Sequence, residues 1–261
     1  MTGKLDGKVA LITGGASGMG EAQARLFSRE GAAVMIADIQ AEKGETVSTE
    51  ISAAGGRAAF FSLDVRDFDQ WQAVVRETEE RLGRLDILCN NAGTNVRVSF
   101  EELSIEQYRN IIEVNLNGAY LGCRAVADAM QRAGGGAIVN IGSLASFKHG
   151  GSTGYTVSKT GIIALTKNVA LAYAKHRTRC NVICPGHIDT PFIRADAPHS
   201  RNDWSTSIDN PENYERRLAH IPLGRLQTGE DVAKAALFLC SDDAEMITGA
   251  VLTVDGGSSL L

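Results

Sequence analysis

The sequence predicts a single doubly wound α/β domain, with a seven-stranded parallel sheet flanked by helices. Short runs rich in Val and Ile alternate with longer amphipathic stretches, which is typical of strand–helix–strand units. The short runs do not alternate apolar with polar residues, so we expect strands that are buried on both faces. Glycines mark most junctions, and no linker or repeat divides residues 1–261. One domain is therefore expected over the whole chain.

The elements follow in order along the chain. Strands are predicted over residues 9–13, 32–37, 58–63, 87–89, 137–141, 180–184 and 251–254. Helices are predicted over residues 20–30, 41–54, 69–82, 104–132, 155–174 and 231–239. All five prolines lie between 185 and 222, and periodicity is weak from 187 to 222. We expect an irregular substrate loop over about 187–222.

Charge and hydropathy exclude several classes of protein. The formal net charge is −5 with no block of like charges, so neither nucleic acid nor an anionic membrane is an expected partner. No apolar run approaches the roughly 18 residues of a spanning helix. The first apolar run is too short for a signal peptide, which favours a cytoplasmic location.

Five cysteines, an odd number without a C-x-x-C pair, lie in apolar surroundings. They are expected to be buried and reduced. Cys180 and Cys184 are four residues apart, but the apolar residues between them indicate a strand and no His or Asp cluster completes a site. No metal is expected.

A glycine-rich turn follows the first strand. Gly14, Gly18 and Gly20 give a G-x-x-x-G-x-G pattern, with Ser17 and Met19 between them, and a helix follows. Glycines admit positive φ and leave no Cβ to block a phosphate, while the helix N-terminus offers free N–H groups. Such a turn is also common as a plain strand–helix junction, so by itself it leaves cofactor binding open.

The end of the second strand favours NAD over NADP. Asp38 lies 18 residues beyond Gly20, where a carboxylate can accept hydrogen bonds from an adenosine ribose. It would repel a 2′-phosphate, and neither Ser17 nor Ile39 supplies a cation to hold one. The alternative role of Asp38 is that of a solvated cap at the strand end.

The next two strands also end in residues suited to a flat ligand. Asp64 and Val65 follow the third strand, where they could hydrogen-bond and pack against an adenine. The fourth strand ends in N-N-A-G, and the small Ala92 and Gly93 after Asn91 allow close approach of the backbone. A loop cap would explain the paired amides equally well.

The chemistry is expected beyond the fifth strand. Ser143 follows that strand, and Tyr155 and Lys159 are one helical turn apart on a common face. An ammonium beside a phenol favours the phenolate and lowers the phenol pKa, which makes tyrosine a usable base. No G-x-S-x-G or H-E-x-x-H motif competes. A surface helix with an exposed lysine would give the same Y-x-x-x-K spacing.

Taken together, these motifs resemble the short-chain dehydrogenase/reductase family, in its shorter single-domain branch with a Rossmann-type fold. The similarity covers nearly the whole chain and its motifs occur in the family's order. They are T-G-x-x-x-G-x-G at 13–20, Asp38, Asp64-Val65, N-N-A-G at 90–93, Asn115, Ser143, Tyr155, Lys159, Pro185-Gly186 with Thr190, and T-G-x-x-x-x-V-D-G-G at 248–257.

The resemblance implies a role for each matching residue. Tyr155 would be the general acid/base, Ser143 would orient the reacting oxygen, and Lys159 would lower the tyrosine pKa and hold the nicotinamide ribose. Asn115 would anchor a water in a proton relay. Cofactor contacts are implied for Gly14, Ser17, Gly18, Met19, Gly20, Asp38, Ile39, Asp64, Val65, Asn91, Ala92, Gly93, Tyr155, Lys159, Pro185, Gly186, Ile188 and Thr190.

The resemblance implies NAD-dependent hydride transfer between a secondary alcohol and its ketone, by a homotetramer. Small uncharged or cyclic alcohols are the favoured substrates, with Ser143, Tyr155, His149 and Trp204 as candidate contacts. His149 could instead lie in a solvent-exposed turn, and Trp204 could instead pack the loop onto the domain. The alternatives are a catalytically idle NAD-binding regulator, an NADP-preferring ketoreductase of acyl-carrier thioesters, and an epimerase or dehydratase, for which the chain has no extra substrate domain.

Overall fold

Seven parallel strands form the centre of the protein in a computed structural model that describes residues 3–148, 151–195 and 202–261. In spatial order the strands are β3, β2, β1, β4, β5, β6 and β7. Their bounds are β1 Val9–Thr13, β2 Ala33–Asp38, β3 Arg57–Ser62, β4 Ile87–Asn90, β5 Gly136–Ile141, β6 Thr178–Pro185 and β7 Val251–Val254. The predicted fold class is confirmed.

Eight α-helices connect or cover these strands in the described part of the chain. They are α1 Gly18–Arg29, α2 Ala41–Ala53, α3 Phe68–Leu82, α4 Ile105–Ile112, α5 Gly118–Arg132, α6 Thr153–Tyr173, α7 Pro211–Leu218 and α8 Gly229–Cys240. The prediction of a single helix over 104–132 is wrong in one respect, because a π-helical turn, Glu113–Asn117, separates α4 from α5. Helix α7 lies within the segment that was expected to be irregular.

Hydrophobic layers cover both faces of the sheet. Adjacent residues of a strand point to opposite faces, so Ile12 packs in the layer with Phe27 of α1, and Leu11 packs in the layer with Trp71 of α3. All four side chains are fully buried. Burial on both faces explains why the strands read as continuous apolar runs.

The strand order places the site. The order reverses between β1 and β4, and in open parallel sheets this reversal opens a crevice beyond the carboxyl ends of the strands. The glycine turn follows β1, and N-N-A-G follows β4, so the two predicted cofactor motifs flank that crevice. Thr13 joins them, since its Oγ1 accepts hydrogen bonds from the backbone of Asn91 at 3.0 Å and of Ala92 at 3.1 Å.

All five cysteines are buried and none forms a disulfide. Within residues 3–148, 151–195 and 202–261, no cluster of three or more His, Cys, Asp or Glu side chains is arranged to hold a metal ion. None of the helices in the described segments combines the length and the apolar character needed to cross a membrane.

Candidate active site

One cavity of about 1010 Å³ lies beyond the carboxyl ends of the strands and joins the two predicted halves of the site. Ser143, Tyr155 and Lys159 line it at the chemical end. The predicted cofactor residues that line it are Gly14, Ser17, Gly18, Met19, Asp38, Ile39, Asp64, Val65, Asn91, Ala92, Gly93, Tyr155, Lys159, Pro185, Gly186, Ile188 and Thr190. The site residues that were predicted at the ends of six strands therefore line the same cavity.

The glycine turn forms a cradle that side chains would fill. Gly14 and Gly18 have φ of +63° and +57°, a left-handed conformation that favours glycine. A Cβ on Gly14 would lie 3.0 Å from the backbone of Ala92. Gly20 does not line the cavity, but a Cβ there would lie 2.2 Å from the Gly14 carbonyl oxygen, so Gly20 allows the turn to close.

The helix N-terminus behind this turn suits a phosphate. The side chain of Ser17, the N-cap of α1, makes no capping hydrogen bond, and the residue lines the cavity. The Asn91 Oδ1 atom is buried and has no hydrogen-bond partner among the described residues. These three features fit a dinucleotide. The glycine cradle and the helix N-terminus suit its phosphates, and the unpartnered amide oxygen can accept a hydrogen bond from one of its N–H groups.

Asp38 performs the capping role and also faces the cavity. Its Oδ2 accepts a hydrogen bond from the backbone of Ala16 at 3.1 Å, and its Oδ1 accepts one from Gln40 at 3.0 Å. The residue is buried yet lines the cavity, beside the largely exposed Ile39. Capping and cofactor contact, which the sequence presented as alternatives, are compatible.

Tyr155 and Lys159 are held by the start of α6. Ser152 caps this helix by accepting a hydrogen bond from the Tyr155 backbone N–H at 3.4 Å, and its hydroxyl donates to Asn95 Oδ1 at 2.9 Å. The Lys159 ammonium lies 5.7 Å from the Tyr155 ring centroid. It donates to the Ile141 carbonyl at 2.7 Å, which ties α6 to the end of β5.

Burial sets the protonation of both groups. It raises the pKa of Tyr155, while a hydrogen bond with Ser143 and the charge of Arg97 oppose this rise. Burial also lowers the pKa of Lys159 from 10.5 to about 8. At neutral pH the tyrosine therefore carries its proton beside a cationic lysine. Such a hydroxyl can donate to a substrate carbonyl oxygen.

Asn115 lies in the π-helical turn and positions the loop after β4. Its Oδ1 accepts from the Thr94 backbone N–H at 2.7 Å, and its Nδ2 donates to the Thr94 carbonyl at 2.9 Å. Nδ2 also donates to Ser158 Oγ at 3.1 Å. Asn115 is buried and is not among the described lining residues. Its side chain fixes the backbone that carries Gly93, and its water relay stays a prediction.

Of the other two candidate substrate residues, the structure places Trp204 outside the site and does not describe His149. Trp204 is 59% exposed and is absent from the described part of the cavity lining. His149 lies outside the described residues.

Three residues that line the cavity, Arg97, His187 and Arg217, were not predicted as site residues. Arg97 follows N-N-A-G by four residues, which is the one signal in the sequence that could have identified it.

His187 is a neutral polar group in this lining. Burial lowers its pKa to about 4, and the nearby charges of Arg217 and Arg97 add to the effect. The ring therefore stays uncharged at neutral pH and can offer a donor and an acceptor. His187 begins the segment that was expected to be an irregular loop, and the structure places it in the cavity lining.

Replacing Lys159 with Met tests the burial of the ammonium. Between about pH 8 and 10.5 the unfolded chain keeps the lysine proton and the folded chain loses it, so the unfolding free energy of the wild type rises with pH. Relative to Lys159→Met, we expect a gain of at most about 3 kcal/mol across this window. Urea unfolding of both proteins at a series of pH values measures it. A difference independent of pH would contradict the burial.

Comparison with known proteins agrees with this geometry. The family described as "Enoyl-(Acyl carrier protein) reductase" matches residues 14–259. The chain is 40% identical over 261 residues to the 2,5-dichloro-2,5-cyclohexadiene-1,4-diol dehydrogenase LinX of Sphingobium indicum, covering 100% of this chain and 99% of the relative. It is 36% identical over 255 residues to the 3-oxoacyl-[acyl-carrier-protein] reductase FabG of Thermotoga maritima, covering 97% and 98% of the two chains.

A further relative acts on a cyclic substrate by its name, and a solved structure shares the fold. The trans-4-hydroxycyclohexanecarboxylate dehydrogenase of Sinomonas cyclohexanicum is 36% identical over 261 residues, covering 97% of this chain and 93% of the relative. A crystal structure from Sinorhizobium meliloti 1021, described as a short-chain alcohol dehydrogenase, superposes with a TM-score of 0.89 at 33% identity over 97% of each chain. The chain therefore belongs to the short-chain dehydrogenase/reductase family, and it is an oxidoreductase.

Proposed function

We propose that this protein catalyses reversible, NAD-dependent hydride transfer between a secondary alcohol and its ketone, with Tyr155 as the general acid/base. The observation that carries the proposal is the shared cavity, in which Ser143, Tyr155 and Lys159 lie at one end and the glycine cradle at the other. Bound nicotinamide would supply the hydride to the carbonyl carbon in reduction and take it from the carbinol carbon in oxidation.

The residues of the chain account for the proton. In reduction the Tyr155 hydroxyl donates its proton to the ketone oxygen, which Ser143 orients by a hydrogen bond. In oxidation the Tyr155 oxygen takes the proton of the alcohol. The Lys159 ammonium lies 5.7 Å from the ring centroid, and we expect it to favour the phenolate that forms when Tyr155 gives up its proton, against the rise in the tyrosine pKa that burial causes. Gly93 lies next to the ammonium, since a Cβ there would be in van der Waals contact with Lys159 Nζ at 3.7 Å.

Cyclic secondary alcohols are the substrate class that we favour. Two relatives, at 40% and 36% identity, are named for substrates with a six-membered ring that bears hydroxyl groups. The intact set of Ser143, Tyr155 and Lys159 favours an enzyme over a catalytically idle NAD-binding regulator. The second candidate is an NADP-preferring ketoreductase of acyl-carrier thioesters, because a relative of that reductase type is 36% identical.

The carboxylate of Asp38 underlies the proposed preference for NAD. Replacing Asp38 with Ala and Ile39 with Arg removes a repulsive charge and adds a cation where a 2′-phosphate would lie. We expect the ratio of kcat/KM with NAD to that with NADP to fall about 100-fold, the size of a charge-assisted hydrogen bond. Initial rates with both cofactors measure the ratio.

Asp38→Asn is the control for this test. The amide keeps an acceptor for the Ala16 or Gln40 N–H and removes only the charge, so we expect an intermediate ratio. If the double variant kept the preference of the wild type, Asp38 would not determine the choice of cofactor.

A spectroscopic screen tests the proposed function itself. Purified protein is mixed with NADH or NADPH and a panel of cyclic ketones, linear ketones and 3-oxoacyl thioesters, and the reduced-nicotinamide absorbance is followed. We expect decay with cyclic ketones and NADH. Decay with thioesters and NADPH alone would favour the second candidate, and no decay with any compound would favour the idle regulator.

Assembly and location are proposals of the same kind. We propose a homotetramer, on the grounds of the family resemblance and of exposed apolar side chains on α5 and α6, Tyr120, Val157 and Leu171. The five buried cysteines without a disulfide support the proposed cytoplasmic location, since thiols stay reduced there. Light scattering of the purified protein measures the mass of the assembly directly.

A further inference from the structure

The chemical end of the cavity carries positive side chains, although the whole chain has a net charge of −5. Arg97, Lys148, Arg216 and Arg217 line this end. The carboxylates in the described lining are Asp38, the last residue of β2, and Asp64, which follows β3 and forms an ion pair with Arg66; both lie at the predicted adenine end. Among the described residues, no carboxylate lies within ion-pair distance of Arg97 or Arg217.

Arg97 lines the same cavity as Tyr155 and is linked to it through Asn202 and Phe192. Its Nε donates to Asn202 Oδ1, and the Asn202 amide donates in turn to the Phe192 carbonyl at 2.7 Å. The Phe192 ring packs against Tyr155, with 6.3 Å between the ring centroids. The charge of Arg97 also acts on Tyr155, where it opposes the rise of the tyrosine pKa that burial causes. Arg97 is thus held close to the group that exchanges the proton.

Arg217 supplies a second buried guanidinium. It lies on α7 and is 9% exposed. Its Nη2 donates to the Thr206 carbonyl at 2.9 Å, but its buried Nε has no hydrogen-bond partner among the described residues. Burial and the charge of Arg97 lower its pKa to about 10, so it remains a cation at neutral pH.

Arg194, in the segment 187–222, is an arginine with a structural role and differs from Arg97 and Arg217 in its partners. Its guanidinium lies between Asp189 and Asp209, at 2.7 Å from each. Within the described segments, Arg97 and Arg217 have no such carboxylate partner, although both are more deeply buried than Arg194. A buried cation without a counter-charge is costly, so a site that keeps two of them together is suited to an anion.

We propose that Arg97 and Arg217 bind a carboxylate of the substrate, so that the enzyme interconverts hydroxy acids and keto acids with a compact carbon frame. The inference rests on the proposed function and names its substrate class. Guanidinium groups bind carboxylates through paired N–H donors. The position of Arg97 beside Tyr155 favours an anion close to the reacting carbon over the phosphate of a thioester, which a long flexible arm separates from its carbonyl. Sequence alone favoured uncharged alcohols.

The test compares acids with matched neutral analogues. The substrates are 3- and 4-oxocyclohexanecarboxylate, each beside its carboxamide, and kcat/KM is measured with NADH. We expect the wild type to prefer the better acid over its amide by about 10-fold or more. Arg97→Gln should lower this acid-to-amide ratio roughly 10- to 100-fold, mainly through KM, because a charge-assisted hydrogen bond to the bound acid is lost.

Two further variants keep the result interpretable. Arg217→Lys preserves the charge at a buried position and should lower the ratio less than Arg217→Gln. Arg76→Gln, on the exposed surface of α3, removes one positive charge outside the described lining and should leave the ratio unchanged. An equal loss in Arg76→Gln would show that the overall charge of the protein, and not the cavity, selects the acid.

A binding measurement separates this inference from the proposed function. Cyclohexanecarboxylate cannot react, and we expect calorimetry to show that it binds the wild type and not Arg97→Gln. If ketones are reduced but acid and amide react equally, the carboxylate site is refuted and the function stands. If no ketone is reduced yet the acid binds through Arg97, the function is refuted and the anion site stands. A preference for acetoacetyl-coenzyme A over both acids would refute the carboxylate site.

Discussion

Tyr155→Phe is expected to lower kcat about 10²- to 10⁴-fold, the contribution of general acid/base catalysis by a positioned side chain. The substitution removes the hydroxyl that exchanges a proton with the substrate and keeps the ring that packs against Phe192. Since the cradle at the other end of the cavity is unchanged, the dissociation constant of NADH should stay within about two-fold. Steady-state rates and a fluorescence titration with NADH measure the two quantities.

Tyr173→Phe is the matched control. Tyr173 ends the same helix, and its hydroxyl donates to the Cys123 carbonyl at 3.2 Å outside the described cavity lining. Its loss should cost about 1 kcal/mol of stability and leave kcat near that of the wild type. A Tyr155→Phe enzyme that kept more than a tenth of the wild-type kcat would contradict the assigned role of Tyr155.

Gly20→Ala is expected to weaken dinucleotide binding roughly 10- to 100-fold, through about 1–3 kcal/mol of overpacking strain. The new Cβ would lie 2.2 Å from the Gly14 carbonyl oxygen and 2.6 Å from Asn91 Nδ2. One of these atoms is backbone, so the glycine turn itself must move away from α1. Calorimetric titration with NAD and a thermal unfolding curve without cofactor measure the two effects.

The same substitution at Gly161 provides the comparison. Gly161 lies within α6, and the nearest atom to a new Cβ is Leu116 Cδ2 at 2.9 Å, the far end of a flexible side chain. Leu116 can adjust its rotamer, and alanine favours the helix by about 0.5–1 kcal/mol. We expect near-normal NAD binding in Gly161→Ala. Equal affinity in Gly20→Ala would show that the turn does not hold the dinucleotide.

Most of the fold could be predicted from the sequence because its strands are buried on both faces. Continuous apolar runs separated by glycine turns locate β1 and β7 at the predicted residues and the other strands to within three residues at each end. Two elements escaped prediction. Helix α7 has eight residues and begins at Pro211, in a segment with little periodicity. The π-helical turn at Glu113–Asn117 changes the hydrogen-bond spacing without interrupting the helical pattern of the sequence.

The residues that line the two predicted ends of the cavity could be located from the sequence, because each motif lies at the end of a strand or on one helix. Their roles in cofactor binding and catalysis stay proposals. The positive charge at the chemical end of the cavity could not be predicted from the sequence. Arg97 and Arg217 are far apart in sequence, and only the packing of α7 over the cavity brings them together. The net charge of −5 is a sum over the whole chain, so it gives no indication of a local cluster of positive side chains. A sequence without a visible basic patch therefore gives no reason to expect a charged substrate.

Isotope transfer tests the central claim most directly. The protein is incubated with NADH carrying deuterium at the transferred position of its ring, together with cyclohexanone or 4-oxocyclohexanecarboxylate, and the product is analysed by mass spectrometry. We expect one deuterium on the carbinol carbon of the product alcohol, and a loss of the labelled product in Tyr155→Phe. An alcohol without deuterium at that carbon, or no alcohol from any ketone of the panel with NADH or NADPH, would contradict hydride transfer at this site.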